Sequence, residues 1–327
     1  MERSRLKALA EDIGFVPVLL VLIFVIMALV EPRFFSRLNT LDMMRNFSFV
    51  ALVALGQALV MIVGGFDLSV TAVIALSSIV SAKTMGALTG AMGLDPVLAS
   101  LLGCAAAMGV GALVGLMNGL LVINLKAAAF MITLGTATGL GGLIFFWTNG
   151  APIYGLPDAF TVDFARGQLL RMPYMFVITL GLIAVIWFVM AMTPTGRHIY
   201  AVGASPAAAR VAGISDARVV TAVYVTSGVL AAIVGLLLTA RIGSGQSDLN
   251  AQAAMQSIAA AVVGGVSLRG GIGKPLRVAL GALLIVIVSN ALNLARIDSR
   301  YATLVLGLVL LVAALIEVRV RKEGYDE

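Results

Sequence analysis

Charge is scarce in this chain. Only 12% of its 327 residues are Asp, Glu, Lys or Arg, where soluble domains carry about 25%. Histidine and cysteine occur once each, as His198 and Cys104. A lone cysteine closes no intrachain disulfide, and one His with one Cys cannot build a typical zinc or haem site. Cys104 lies in an apolar run and reads as a small buried hydrophobe. Long polar segments are missing too. The two main polar stretches, 148–172 and 193–218, are too short to be domains, which leaves no room for a soluble catalytic domain within these residues.

Apolar sequence is what the chain has in excess. Hydrophobic residues make up 61% of it, against about 45–50% in soluble domains. A helix needs about 20 mostly apolar residues to cross the hydrocarbon core. No water satisfies backbone groups there, so helices are the only plausible spans for such runs. Ten candidate spans follow: 13–30, 47–64, 69–90, 96–123, 127–147, 173–192, 219–240, 254–267, 276–294 and 301–318. The first follows Arg3, Arg5 and Lys7 and has no small-x-small pattern before Glu31 and Pro32, so it reads as a retained span rather than a signal peptide. The third carries Ser77, Ser78, Ser81, Lys83 and Gly86, and the eighth is short and glycine-rich. The expectation is an all-α polytopic membrane protein with about ten transmembrane helices, broken or short near 64–90 and 254–273, and residues 1–327 forming a single transmembrane domain.

The formal charge is +6. Its basic residues sit between apolar runs and at the chain ends, so loops beside anionic lipid explain them better than nucleic acid does. With the N-terminus placed in the cytoplasm, thirteen Lys and Arg fall inside and eight outside, with Lys83 unassigned. That bias places both termini and the 193–218 loop in the cytoplasm and 148–172 outside. Arg33, Arg37 and Arg45 run against the rule and suit an interfacial segment.

Three groups of residues carry chemistry. In the inner loop, Ser205 can cap a helix that starts at Pro206 and ends before Gly213. Such a helix, with Ala208 and Arg210 on it, serves either as a connector or as a docking element for a cytoplasmic partner. In Gly64-Gly65-Phe66-Asp67-Leu68-Ser69, the paired glycines can break a helix. Ser69 can cap the next span, and Asp67 sits near its positive end. That aspartate is either a structural cap or a contact for a polar solute. Asn118, Thr133, Thr136, Asn290 and Asn293 are polar groups within spans, and Asn290 and Asn293 share a helix face. They either hold helices together or line a polar path. A related glycine pattern at 264–273 fails as a phosphate loop, because Leu268 stands where glycine is required and Pro275 follows Lys274. Glycines spaced by four, at 111, 115 and 119 and at 135 and 139, allow close helix approach within or between subunits.

Taken in order, GGFDLSV at 64–70, NG at 118–119, AFMITLGT at 129–136, TNG at 148–150, GRHIYAVGASPAAARVAGI at 196–214 and GGVSLRGGIG at 264–273 resemble the ribose/xylose/galactose-type permeases of bacterial ABC importers over nearly the whole chain. The resemblance implies a multi-pass permease of the bacterial inner membrane, working as a homo- or heterodimer. It implies a cytoplasmic ABC ATPase that binds ATP and magnesium, a periplasmic sugar-binding protein, and no cofactor or enzymatic site in this chain. By the same analogy Ser205, Pro206, Ala208, Arg210 and Gly213 belong to the loop that couples to the ATPase. Phe66, Asp67, Ser69, Asn118, Thr133, Asn149, Asn290 and Asn293 are the candidates for the substrate path. The chain departs from the family pattern at Thr71, where glycine is common, and at Ala207 and Ala208, where many relatives carry an acidic residue and alanine. An ion-coupled secondary transporter is the alternative. It suits the sequence less well, because such proteins place acids or His in mid-span, whereas Asp67 and Glu317 lie near span ends. An intramembrane enzyme would need a nucleophile with its base, or metal ligands, that the spans do not offer.

Overall fold

The computed structural model describes residues 16–249 and 252–296, with 304, 307 and 308. The tenth candidate span at 301–318, both chain ends, Arg300 and Glu317 lie outside the described residues, apart from those three positions. Among the described residues the fold is helical, with one minimal hairpin. We label the helices α1 (Val16–Val30), α2 (Arg37–Ile62), α3 (Val70–Gly86), α4 (Pro96–Leu125), α5 (Ala129–Thr148), α6 (Tyr174–Met192), α7 (Pro194–Ala204), α8 (Pro206–Val211), α9 (Asp216–Ile242), α10 (Ala253–Val263) and α11 (Pro275–Leu294). Gln168–Leu169 (β1) pairs antiparallel with Met172–Pro173 (β2).

Among the described residues, seven helices are long and apolar enough to cross a membrane, and α1 and α10 are shorter apolar helices of 15 and 11 residues. Nine of the ten expected spans thus coincide with helices, seven of them of spanning length. Their bounds moved in places. α2 starts at Arg37, ten residues before the expected 47, because Ser36 accepts the Asn39 N–H (3.3 Å) and caps the helix there. Arg37 and Arg45 therefore ride on α2, and the interfacial element shrinks to a 3₁₀ turn at Pro32–Phe35 in which Arg33 pairs with Glu31. The third span is not broken. It runs Val70–Ala91 by way of a π turn, with Ser77, Ser78 and Ser81 buried inside the bundle. The break expected there lies just before it, at 63–69.

α2 and α9 form the centre and pack against each other; α9 also packs against α3 and α4, and α2 against α10 and α11. The α4 glycines explain how α9 comes so close. A methyl group on Gly115 would lie 2.3 Å from the Tyr224 carbonyl oxygen, and one on Gly111 would lie 2.4 Å from that of Gly228. This is a small-residue contact at backbone distance. Gly135 and Gly139 differ, because an added methyl there meets nothing within 4 Å. That face of α5 is open in the single chain.

Candidate functional site

Each of the two glycine-pair motifs ends a helix in the same way. At the end of α2, Gly64 (φ +83°) lets its own N–H bond to Met61 and that of Gly65 bond to Val60 (both 2.9 Å). At the end of α10, Gly265 (φ +80°) lets its N–H bond to Val262 (2.8 Å) and that of Val266 bond to Ala261 (3.0 Å). Both are Schellman ends, which need a left-handed residue. The side chain two residues after the second glycine then takes a backbone N–H. Asp67 Oδ1 accepts from Ser69 N–H (3.0 Å), and Ser267 Oγ accepts from Arg269 N–H (3.1 Å). Both turns thus carry a side chain that takes the N–H two residues on, a carboxylate in one and a hydroxyl in the other, although the left-handed residue is the first glycine of the pair at Gly64 and the second at Gly265.

Asp67 is 2% exposed and anchors a network. Its Oδ1 also accepts from Ser69 Oγ (2.6 Å) and its Oδ2 from Ser227 Oγ (3.0 Å). Asn118 Nδ2 donates to Ser69 Oγ (2.8 Å), and Thr136 Oγ1 donates to Asn118 Oδ1 (2.7 Å). Thr133 Oγ1 accepts from Leu68 N–H (3.1 Å). The Tyr224 hydroxyl donates to the Phe66 carbonyl (3.2 Å). Burial pushes the Asp67 carboxyl above the usual carboxylate range, and the Ser69 and Ser227 donors pull it back. Ser69 does not cap α3 with its side chain; its hydroxyl and its N–H are both committed to Asp67. Five of the residues expected on a substrate path (Phe66, Asp67, Ser69, Asn118 and Thr133) therefore form a clasp joining the 63–69 turn to α4, α5 and α9. Ser227 and Tyr224 belong to it without any motif to announce them.

α7 packs where α2 ends and this turn begins, and α8 follows it. Gly203 packs against the Ile62 carbonyl so closely that a methyl would lie 1.8 Å from the oxygen. The same carbonyl accepts the Gly271 N–H (2.8 Å), and the Tyr200 hydroxyl donates to the Gly273 carbonyl (2.6 Å). α7 thus touches both glycine turns at once. α8 begins as expected, with Ser205 Oγ accepting the Ala208 N–H (3.2 Å) and Pro206 at its first position. It ends in another Schellman turn at Gly213 (φ +79°). Ala209 is buried, Val211 is 92% exposed, and Arg210 pairs with Asp216.

The opposite end carries a cavity of about 820 Å³ between α2, the end of α9, residues 246–249, Gln256 and α11. Asn290 and Asn293 both line it. Asn290 exchanges amide hydrogen bonds with Asn39 (2.7 and 3.0 Å), so it joins helices and faces the cavity as well. Asp42, Asn46, Arg241 and Gln256 line the cavity too. Spacing of polar residues along α2 was the signal available for the first two. Asn149 lies elsewhere, exposed at the left-handed end of α5 (φ 51°).

Comparison with known proteins agrees with this architecture. A family model described as "Branched-chain amino acid transport system / permease component" matches residues 39–314. The chain is 37% identical to the ribose import permease protein RbsC of Bacillus subtilis over 299 residues, 91% of this chain and 90% of that protein. It is 33% identical to the fructose import permease protein FrcC of Rhizobium meliloti, over 89% of this chain and 80% of that one. With the galactose/methyl galactoside import permease protein MglC of Escherichia coli it shares 30% identity, over 97% and 96% of the two chains. No solved structure matches.

Proposed function

The chain belongs to the branched-chain amino acid transport system / permease component family, and from that membership we propose that it is the membrane-spanning permease of an ATP-driven importer for a monosaccharide or similar polyol. As a permease component it is a transport subunit and not an enzyme. The observation that carries the sugar assignment is its similarity, over about nine-tenths of its length, to permeases named for ribose, fructose and galactose. The GGFDLS turn supports a sugar over an amino acid, because the resemblance to ribose/xylose/galactose-type permeases rests in part on it.

In this reading the α7–α8 end faces the cytoplasm and the inner membrane holds two such subunits. A separate ATPase binds ATP and magnesium, and a periplasmic binding protein delivers the sugar to the opposite end. α8 is the docking element. Its exposed Val211 and alanines offer a small smooth face, and Arg210 is held by Asp216. Movement of α8 reaches the bundle through α7, whose Gly203 and Tyr200 rest on both glycine turns. The turns then tilt α2 and α10, and the path opens on one side and closes on the other.

Two experiments test it. Pull-down of the tagged chain from gently solubilised native membranes should recover a P-loop ATPase and a periplasmic sugar-binding protein; recovery of the chain alone, with ATP present, removes the importer. Arg210→Glu faces Asp216 with a like charge, and Ala208→Pro deletes the N–H that Ser205 caps. Both should sever ATP hydrolysis from uptake while the protein still inserts, and normal uptake in both would refute the assignment of α8.

A further inference from the structure

Gln57 is buried in α2 with 0% exposure, and among the described residues its amide stands out, because neither Oε1 nor Nε2 meets a hydrogen-bond partner. An unpaired buried amide is costly and calls for a reason. Its place on the helix supplies one. At 3.6 residues per turn, Asn39, Asp42, Asn46, Phe49 and Val50 occupy one sector of α2, the sector that lines the 820 Å³ cavity. Gln57 falls in the middle of that sector. It lies seven residues beyond Val50, about 10 Å further along the axis toward the α7 end. α10 and α11 pack against α2, and they extend the cavity's polar wall with Gln256, Ser289 and Asn293.

We propose that this cavity is the outer vestibule of the solute path and that Gln57 is a specificity-determining residue on the path beneath it, its amide pairing with a hydroxyl of the passing solute. The chemistry favours a polyhydroxylated solute. An amide offers one acceptor and two donors, and a hydroxyl both gives and takes a hydrogen bond, so the two satisfy each other in full. A carboxylate would leave Oε1 unpaired and an ammonium would leave Nε2 unpaired. The closed arrangement withholds the amide from the vestibule, and opening of the α2–α10–α11 contact brings it to the solute. This inference rests on the importer reading above.

Thiol labelling tests the path without knowledge of the solute. In a Cys104→Ser background, Gln57→Cys, Ser289→Cys and Ala51→Cys are compared in spheroplasts of the native host, energised or depleted of ATP. The reagent is membrane-impermeant trimethylammonium-ethyl methanethiosulfonate. Ser289→Cys should react at once. Ala51→Cys, at a buried position on the other side of α2, should stay inert. Gln57→Cys should react at least tenfold faster in energised than in depleted cells. If it stays as inert as Ala51→Cys in both conditions, Gln57 is not on the path. Gln57→Leu keeps the volume and removes the unpaired groups, so it should assemble normally. Its uptake of labelled D-ribose, D-fructose and D-galactose should fall at least tenfold or change rank order; unchanged uptake would make the amide a bystander. Should the wild type carry none of the three sugars, its cargo lies outside those named for its relatives, and the labelling result still decides the role of Gln57.

Discussion

Two polar regions of this bundle use similar side chains to opposite ends. Near α7, the buried Asp67, Ser69, Asn118 and Ser227 bond to one another in a chain that the half-buried Thr136 closes. At the other end, Asn39, Asp42, Asn46, Arg241, Asn290 and Asn293 surround an open cavity, with an unpaired Gln57 beneath it. The residue types hardly differ. What differs is where the bonded groups sit. Both sets are largely paired across helices, at the open end Asn39 with Asn290 and Arg241 with Asp42 and Asn46, but the first set is packed inside the bundle, whereas the second lines a cavity.

The sharpest way to break this contrast is at the closed end. Asp67→Leu leaves Ser69, Ser227 and the Ser69 N–H without their acceptor, and we expect a loss of about 3 kcal/mol. Thermal melting of the purified protein in detergent measures it. If Asp67→Leu melts like the wild type but no longer transports, the clasp is a solute site.

Next in size is the α4–α9 contact that holds the clasp in place. Gly115→Ala drives a methyl into the Tyr224 carbonyl and should cost about 1–3 kcal/mol. Gly139→Ala meets nothing within 4 Å and should be neutral, or stabilising by up to about 1 kcal/mol from helix propensity. Equal melting shifts in the two variants would show that the glycine ladder does not discriminate a packed face from an open one. A loss confined to Gly139→Ala would mean that the open α5 face is covered in the assembled transporter.

The smallest effect belongs to the cavity rim. Asn290→Leu leaves half of the Asn39 amide unpaired, yet Asn39 Nδ2 keeps the Phe34 carbonyl (2.8 Å). We expect about 1 kcal/mol from the single change. The double variant Asn39→Leu/Asn290→Leu should recover part of it, as a double-mutant cycle reads directly. Strict additivity would show that the two amides do not pair.

Much of the fold was legible beforehand. Apolar runs long enough to span, set between turn residues, located nine helices, because the membrane leaves the backbone no other way to satisfy itself. Helix ends were readable where the signal is local. Ser205, Pro206 and Gly213 bound α8 through bonds that reach only a few residues, and the helix stops at Val211 with Ala212 as its cap. The start of α2 was misjudged because Ser36 overrides the hydropathy of a polar first turn. The candidate site was harder to read. Asp67 was singled out from GGFDLS, but its partner Ser227 lies 160 residues away in the chain, and Asn118 and Thr136, which reach it through Ser69, lie 51 and 69 residues away; no local pattern links them. Gln57 sat unnoticed in an apolar run, although the cost of a polar group within a span could have marked it.

The amino-acid order by itself determined that this is a helical membrane protein with capped breaks at two glycine pairs and a short capped helix in the 193–218 loop. Hydropathy, helix capping and left-handed glycines act over a few residues and need no partner helix. Only the tertiary structure decided which polar residues close on one another and which stay open, which glycines touch a backbone, and that α7 rests on both glycine turns. Those outcomes depend on which helix faces arrive opposite each other, and in a bilayer that is set by packing and hydrogen-bond completion across the whole bundle.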